Sequence, residues 1–168
     1  WKLVDPRINQ FPEDVYVSYL DFDSTWTAPV RLDFCKPRQN EATIAISSDE
    51  RKIYLYEDST GNGDIYYTDF YHAKFRDIEK LEMKDINTKY WETHAMMSHR
   101  KDLFFFVSDR PGGFGGRDIY MSKLKNNGKW GDPVNLGPNV NGPNDEDAPF
   151  IAVDIRTLYF ATNDFRSI

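Results

Sequence analysis

The sequence has one cysteine, no long apolar run and no surplus of positive charge, and each shortage excludes something. A lone Cys35 among 168 residues rules out an internal disulfide and reads as a half-buried small side chain. The longest apolar run, Leu103 to Val107, is the length of a strand and far short of the roughly 18 residues that a membrane-crossing helix needs. The chain therefore does not read as membrane-spanning. Lys and Arg number 21 against 27 Asp and Glu, a net charge of −6, so the basic stripe of a nucleic-acid binder is missing and nucleic acid is not expected as a partner. Catalytic signatures are missing too. There is no Gly-x-Ser-x-Gly, and the Ser-x-Asp-x-Gly-x-x-Trp box of sialidases is not matched around Trp26 or Trp130. His72, His94 and His99 show neither the i,i+4 spacing nor the Cys partners of a zinc site. The chain opens on Trp1 rather than Met, which reads as loss of a leader or preceding domain.

What the sequence has in quantity is aromatic residues (10 Tyr, 12 Phe and 4 Trp), a bias toward sheet, and an internal repeat. Asp14-Val15-Tyr16, Asp64-Ile65-Tyr66 and Asp118-Ile119-Tyr120 recur at intervals of 50 and 54 residues, and Glu41, Glu92 and Glu146 recur at 51 and 54. Trp26-x-x-Pro29-Val30-x-Leu32 returns as Trp130-x-x-Pro133-Val134-x-Leu136, with Phe75, Ile78 and Leu81 as a degraded middle copy. Asp85-Ile86-Asn87 mirrors Asn139-Val140-Asn141, each amide lying five residues ahead of its Glu. A period of roughly 40 to 55 residues with four short strands per unit is the signature of propeller blades.

The expected fold is therefore all-β, a β-propeller of four-stranded antiparallel blades. Strands are expected at Asp14–Leu20, Trp26–Leu32, Ala42–Ser47, Lys52–Tyr56, Asp64–Phe70, Glu92–Ser98, Leu103–Val107, Arg117–Leu124, Trp130–Leu136, Asp147–Ala152 and Thr157–Thr162. Tyr71 to Met83 is compatible with a helix by itself, but its place in the repeat predicts an outer strand. Trp1–Val4 reads as the end of a strand. The whole chain, 1–168, is then one partial propeller domain: 1–40 closes one blade, 41–91 and 92–145 are blades, and 146–168 starts the next. About three blade equivalents are present, which predicts a fragment of a larger ring of about six to eight blades that associates through its open edges.

Ser108-Asp109-Arg110-Pro111-Gly112-Gly113, Gly115-Gly116-Arg117-Asp118-Ile119-Tyr120, Trp130 to Gly137, Asn139-Val140-Asn141 and Asp145 to Pro149 together resemble the TolB-type, WD40-like (PD40) propeller repeats. The nearest form is that of Bacteroidetes-type, OmpA-family envelope proteins, among them the peptidoglycan-associated component of the type IX secretion system. The resemblance implies a non-catalytic interaction or scaffold domain in the bacterial cell envelope, at the periplasmic side of the outer membrane. Its implied partners are envelope or secretion-system proteins, with peptidoglycan bound only through a domain outside these residues. The alternative is the propeller of a secreted or periplasmic hydrolase, as a peptidase gate or a glycan-cleaving domain. The chain departs from the family where Pro-Asp-Gly usually joins the first two strands: Ser48-Asp49-Glu50, His99-Arg100-Lys101 and Val153-Asp154-Ile155 stand there, which predicts loosened hairpins.

The candidate site is the set Glu41, Asn87, Glu92, His94, Asn141, Glu146 and Asp147. At the start of each inner strand these residues would ring one mouth of a propeller channel, where carboxylates can meet a partner or a cation such as Ca2+. The competing reading is that they cap turns by accepting backbone N–H groups. No other cofactor is expected. Gly112-Gly113-Phe114-Gly115-Gly116 looks like a phosphate cradle, but a strand rather than a helix follows it, so it reads as a hairpin loop.

Overall fold

The computed structural model describes residues 12–163 apart from Thr60 and Ala73, and the strand expected at Trp1–Val4 lies outside that range. Among the described residues the fold is all-β, without helix, and contains no helix long and apolar enough to cross a membrane. Thirteen strands form antiparallel sheets that follow one another along the chain. Strands β1 (Tyr16–Val17) and β2 (Val30–Arg31) pair. Strands β3 (Glu41–Ile46), β4 (Lys52–Glu57), β5 (Asp64–Tyr71), β6 (Lys74–Phe75) and β7 (Glu79–Lys80) form a second sheet, with β6 and β7 both on β5. Strands β8 (Glu92–Met97), β9 (Leu103–Ser108), β10 (Asp118–Lys123) and β11 (Val134–Asn135) form the third. Strands β12 (Glu146–Ile151) and β13 (Leu158–Thr162) form the fourth.

The repeat in the sequence is a repeat in hydrogen bonding. Tyr16 pairs with Arg31, Tyr66 with Lys80 and Tyr120 with Asn135, at the same place in each copy. Farther out, Leu20 bridges Trp26, Phe70 pairs with Phe75 and Leu124 bridges Trp130. The N–H groups of Leu32, Leu81 and Leu136 donate to the carbonyls of Val15, Ile65 and Ile119. The middle copy is thus a true copy with a one-residue-shorter turn, and Tyr71 to Met83 is strand and loop rather than helix. The outer strands are much shorter than the expected Trp26–Leu32 and Trp130–Leu136. In all three copies the outer segment touches its neighbour at the Trp or Phe, breaks, and pairs again for two residues; Pro29 and Pro133, which offer no N–H to a ladder, fall in that break in two of them.

Successive sheets are also joined at one repeated point: the N–H groups of Glu41, Glu92 and Glu146 donate to the carbonyls of Glu13, Gly63 and Arg117, each the residue before an Asp-aliphatic-Tyr triplet. Apolar layers lie between the sheets. Val15, Leu32, Phe34 and Leu55 pack between the first and second. Tyr54, Ile65, Leu81, Phe104 and Phe106 pack between the second and third, and Phe105, Val107, Ile119 and Ile151 between the third and fourth. Strand β9 explains the uninterrupted Leu103–Val107 run: Phe104 and Phe106 face one layer and Phe105 and Val107 the other, so neither face needs polar residues.

The inner hairpins stay closed without Pro-Asp-Gly. The N–H groups of Glu50, Lys101 and Ile155 donate to the carbonyls of Ser47, Ser98 and Ala152, closing the same turn three times. The cost appears in the backbone: Glu50, Lys101 and Ile155 all take left-handed φ, at 56°, 59° and 55°, a region that favours Gly.

Candidate functional site

Each expected site residue is set by its copy of the repeat, and the two amides are placed alike. Asn87 Oδ1 accepts from the Ile65 N–H at 2.7 Å while its Nδ2 donates to the Ile65 carbonyl at 2.8 Å. Asn141 does the same to Ile119, at 2.9 and 2.9 Å. An amide side chain donates and accepts at once, here toward the N–H and carbonyl of a single residue, and it clamps the start of the third strand of its sheet.

The glutamates open β3, β8 and β12, each the first strand of its sheet. Glu92 accepts from the Thr88 N–H and hydroxyl, the Ser108 hydroxyl and the Arg110 guanidinium, all at 2.8 to 3.1 Å. Arg110 in turn lies over the Phe106 and Tyr120 rings and donates to the Asp85 and Ile86 carbonyls. Glu146 accepts from the Gly142 N–H and the Thr162 hydroxyl. Both are fully buried, as is Glu41. Their bonding is that of turn caps: donors four residues upstream satisfy the carboxylate, and the carboxylate satisfies the turn.

His94 and Asp147 are different. Each of the strand pairs β3–β4, β8–β9 and β12–β13 carries a register shift just past its Glu, and such bulges re-aim side chains. His94, in the β8 bulge, meets Asp147 on β12 with Nδ1 at 2.5 Å from Oδ1, and their side chains stay 40% and 23% exposed. Arg117 reaches both Asp147 and Asp145, at 3.4 and 3.3 Å. Burial pushes the Asp147 carboxyl up, but the His94 hydrogen bond and charge, the Ala148 N–H and Arg117 outweigh it and hold the group below the ordinary carboxylate range. Beside this pair a groove of about 300 Å³ runs between β3, β8 and β12, lined by Ile44, Ile46, Met96, Pro149 and Phe150 among others. Of the seven expected residues, then, the structure brings His94 and Asp147 together at a solvent-facing groove. It places Asn87, Glu92, Asn141 and Glu146 in internal bonding and buries Glu41, with the Lys36 N–H on one oxygen.

The Gly-rich hairpin is used internally as well. The N–H groups of Phe114 and Gly115 donate to the Asp118 carboxylate, and a Cβ on Gly113 would come within 1.9 Å of that carboxylate. Glycine is required there for close approach, and the loop's donors face their own chain.

Two participants escaped the sequence reading. Arg117 gives no sign of its role except its place beside Asp118. Cys35 does: Asp33-Phe34-Cys35 aligns with Asp85-Ile86-Asn87 and Asn139-Val140-Asn141, and the structure puts the thiol where the amides stand. The Val15 N–H donates to Cys35 Sγ at 3.2 Å, and the thiol reaches the Val15 carbonyl at 3.8 Å. No protein-family model and no curated protein matches the chain.

Proposed function

We propose that this chain is a section of a β-propeller and serves as a non-catalytic protein-interaction scaffold of a bacterial cell envelope, its contacts centred on the groove beside His94 and Asp147. The observation that carries the reading is the recurrence of one hydrogen-bonding plan. Three Asp-aliphatic-Tyr strands hold three outer strands in one register, and three buried Glu N–H groups tie each sheet to the one before. Such a plan supports stacked blades, with β3, β8 and β12 as neighbouring innermost strands and the groove between them on the inner surface.

A rigid scaffold built this way presents loops and grooves on which binding needs no chemistry. A half-exposed His–Asp–Arg cluster bordering an apolar groove has the composition of a protein contact: an apolar centre with a charged rim. The envelope setting and the class of partner rest on the resemblance of the Ser108–Pro149 motifs alone. The test is affinity capture by the intact protein from its own cells, followed by identification of what co-purifies. An envelope or secretion-system protein retained by the wild type and lost on Asp147→Asn supports the scaffold. Turnover of peptide or glycoside panels by the intact protein would replace it with the hydrolase reading.

A further inference from the structure

Asp14, Cys35 and Glu41 meet where the first sheet joins β3. One carboxylate oxygen from each acid and Cys35 Sγ lie within 4.8 Å of one another. Glu41 is 1% exposed and the Asp14 side chain 4%. The same place in the other copies holds Asp64, Asn87 and Glu92, and Asp118, Asn141 and Glu146; only here does a thiol replace the amide.

The glutamate differs as well. Glu92 and Glu146 share their charge among several donors, whereas Glu41 keeps the Lys36 N–H on Oε1 at 3.0 Å and its Oε2 is buried without a hydrogen-bond partner. The sequence gives the reason. The positions of Ser108 and Arg110, both donors to Glu92, are occupied in this copy by Glu57 and Ser59. Glu57 lies directly opposite Glu41 across the β3–β4 ladder, and its own Oε2 also lacks a donor. Two buried carboxylates thus face each other with oxygens to spare, beside a third carboxylate and a soft sulfur. Arg31 answers part of this charge by donating to Asp14 and to the Cys35 carbonyl, each at 2.9 Å.

We propose that Cys35, Glu41 and Asp14 bind one divalent transition-metal ion of the zinc class. A thiolate with two carboxylates suits Zn2+, whereas Ca2+ and Mg2+ take all-oxygen shells. With Zn–S near 2.3 Å and Zn–O near 2.0 Å, a tetrahedral ion sets its ligand atoms about 3.5 Å apart. The trio therefore draws together by about 1 Å, within the reach of side-chain rotation, and leaves a fourth position for water. The Val15 N–H donor to sulfur becomes the outer-sphere bond that a metal-bound thiolate commonly accepts. Binding displaces the Cys35 proton, and any proton on Glu41, to solvent. Burial already favours the protonated forms of both groups in the metal-free protein. The inference stands on this cluster and is independent of the propeller reading.

The test uses the full-length protein, stripped with a chelator and titrated with Co2+ and then Zn2+. One equivalent of Co2+ is expected to produce a thiolate-to-cobalt charge-transfer band in the near ultraviolet, and one equivalent of Zn2+ to remove it. Cys35→Asn installs the residue that the other two copies carry, so the clamp on the third strand and the fold persist; the band disappears and Zn2+ affinity falls more than about tenfold. Glu41→Gln keeps the shape, retains the thiol and lowers the affinity to a similar degree. A wild-type protein without the band overturns the proposal. So does a Zn2+ affinity that either variant leaves unchanged.

Discussion

Cys35 and Val15 are joined twice, by the Val15 N–H donating to Sγ and by the thiol reaching the Val15 carbonyl, which is the arrangement Asn141 makes with Ile119 through its amide. The two clamps differ in strength because sulfur is a weak donor and a weak acceptor. Replacing Asn141 by Leu removes both bonds and leaves the buried Ile119 N–H without a partner, while the carbonyl keeps the Leu136 N–H, so it is expected to cost about 1–3 kcal/mol. Cys35→Asn, in the metal-free protein, is expected to change stability by less than about 1 kcal/mol. Urea unfolding of the intact protein measures both. Equal losses for the two variants would show that the clamps are not equivalent positions.

The left-handed turns give a second expectation. Ile155 is β-branched and sits at φ 55°, a conformation that costs an L-residue roughly 1–2 kcal/mol. Ile155→Gly removes that strain but adds freedom to the unfolded chain, so the net gain should be about 0.5–1 kcal/mol. Glu50→Gly should act in the same direction. Lys101→Gly should gain less, since Lys101 Nζ pairs with Asp49 at 2.6 Å. A fall in thermal midpoint for Ile155→Gly would remove the strain argument.

Glu41 sets a pH dependence. Burial, with the like charges of Asp14 and Glu57, pushes its carboxyl up from 4.5 to about 7 against the opposing Lys36 N–H and Arg31. A carboxyl whose folded pKa exceeds its unfolded one holds its proton more tightly in the folded state. The contribution of this group is therefore complete below about pH 4.5 and is lost as the pH climbs through 7, by about 3 kcal/mol. With chelator present, Glu41→Gln should be more stable than wild type at pH 8 and equal to it near pH 4. Parallel denaturation curves at the two pH values decide the matter; a penalty for Glu41→Gln at pH 8 would show that the charge is already compensated.

Asp147 behaves in the opposite sense. Its carboxyl is held low despite burial, chiefly by His94, so its contribution is complete above the ordinary carboxylate pKa and fades as the pH drops through the lowered one. Because the pair is partly exposed, Asp147→Asn should cost under about 1 kcal/mol at pH 7. The variant therefore separates partner binding from folding: capture should fail while the unfolding midpoint barely moves.

The architecture was legible where one residue type does one job in every copy. Asp-aliphatic-Tyr, the Glu series and the Trp-to-Leu segment each predict a register, and the registers recur as written, even in the middle copy where Phe75 stands for Trp and Ile78 for Pro. Strand lengths were less legible, because an alternating pattern such as Asp14–Leu20 reports which faces are apolar, not whether a Pro-interrupted neighbour can keep pairing. The site was legible only as a set of positions. The turn-capping half of Glu92 and Glu146, to donors four residues upstream, could be weighed in the sequence; their other donors, Ser108, Arg110 and Thr162, lie sixteen or more residues away and could not. His94 and Asp147 come from different strands, and nothing local announces that a bulge turns one toward the other. Cys35 was hidden by chemistry, since a thiol does not look like an amide until both are seen on the backbone N–H and carbonyl of the equivalent residue.

On the scaffold proposal, a protein partner is held at the groove between β3, β8 and β12. That proposal is tested most directly by placing a photo-crosslinking amino acid at Phe150, on the groove, and in a second variant at Asn127, in the exposed β10–β11 turn, in the intact protein in its own cells. A crosslink from position 150 to one envelope protein is expected, abolished by adding Asp147→Asn, and none from position 127. Equal crosslinking at the two positions, or a position-150 adduct indifferent to Asp147→Asn, would contradict the proposal.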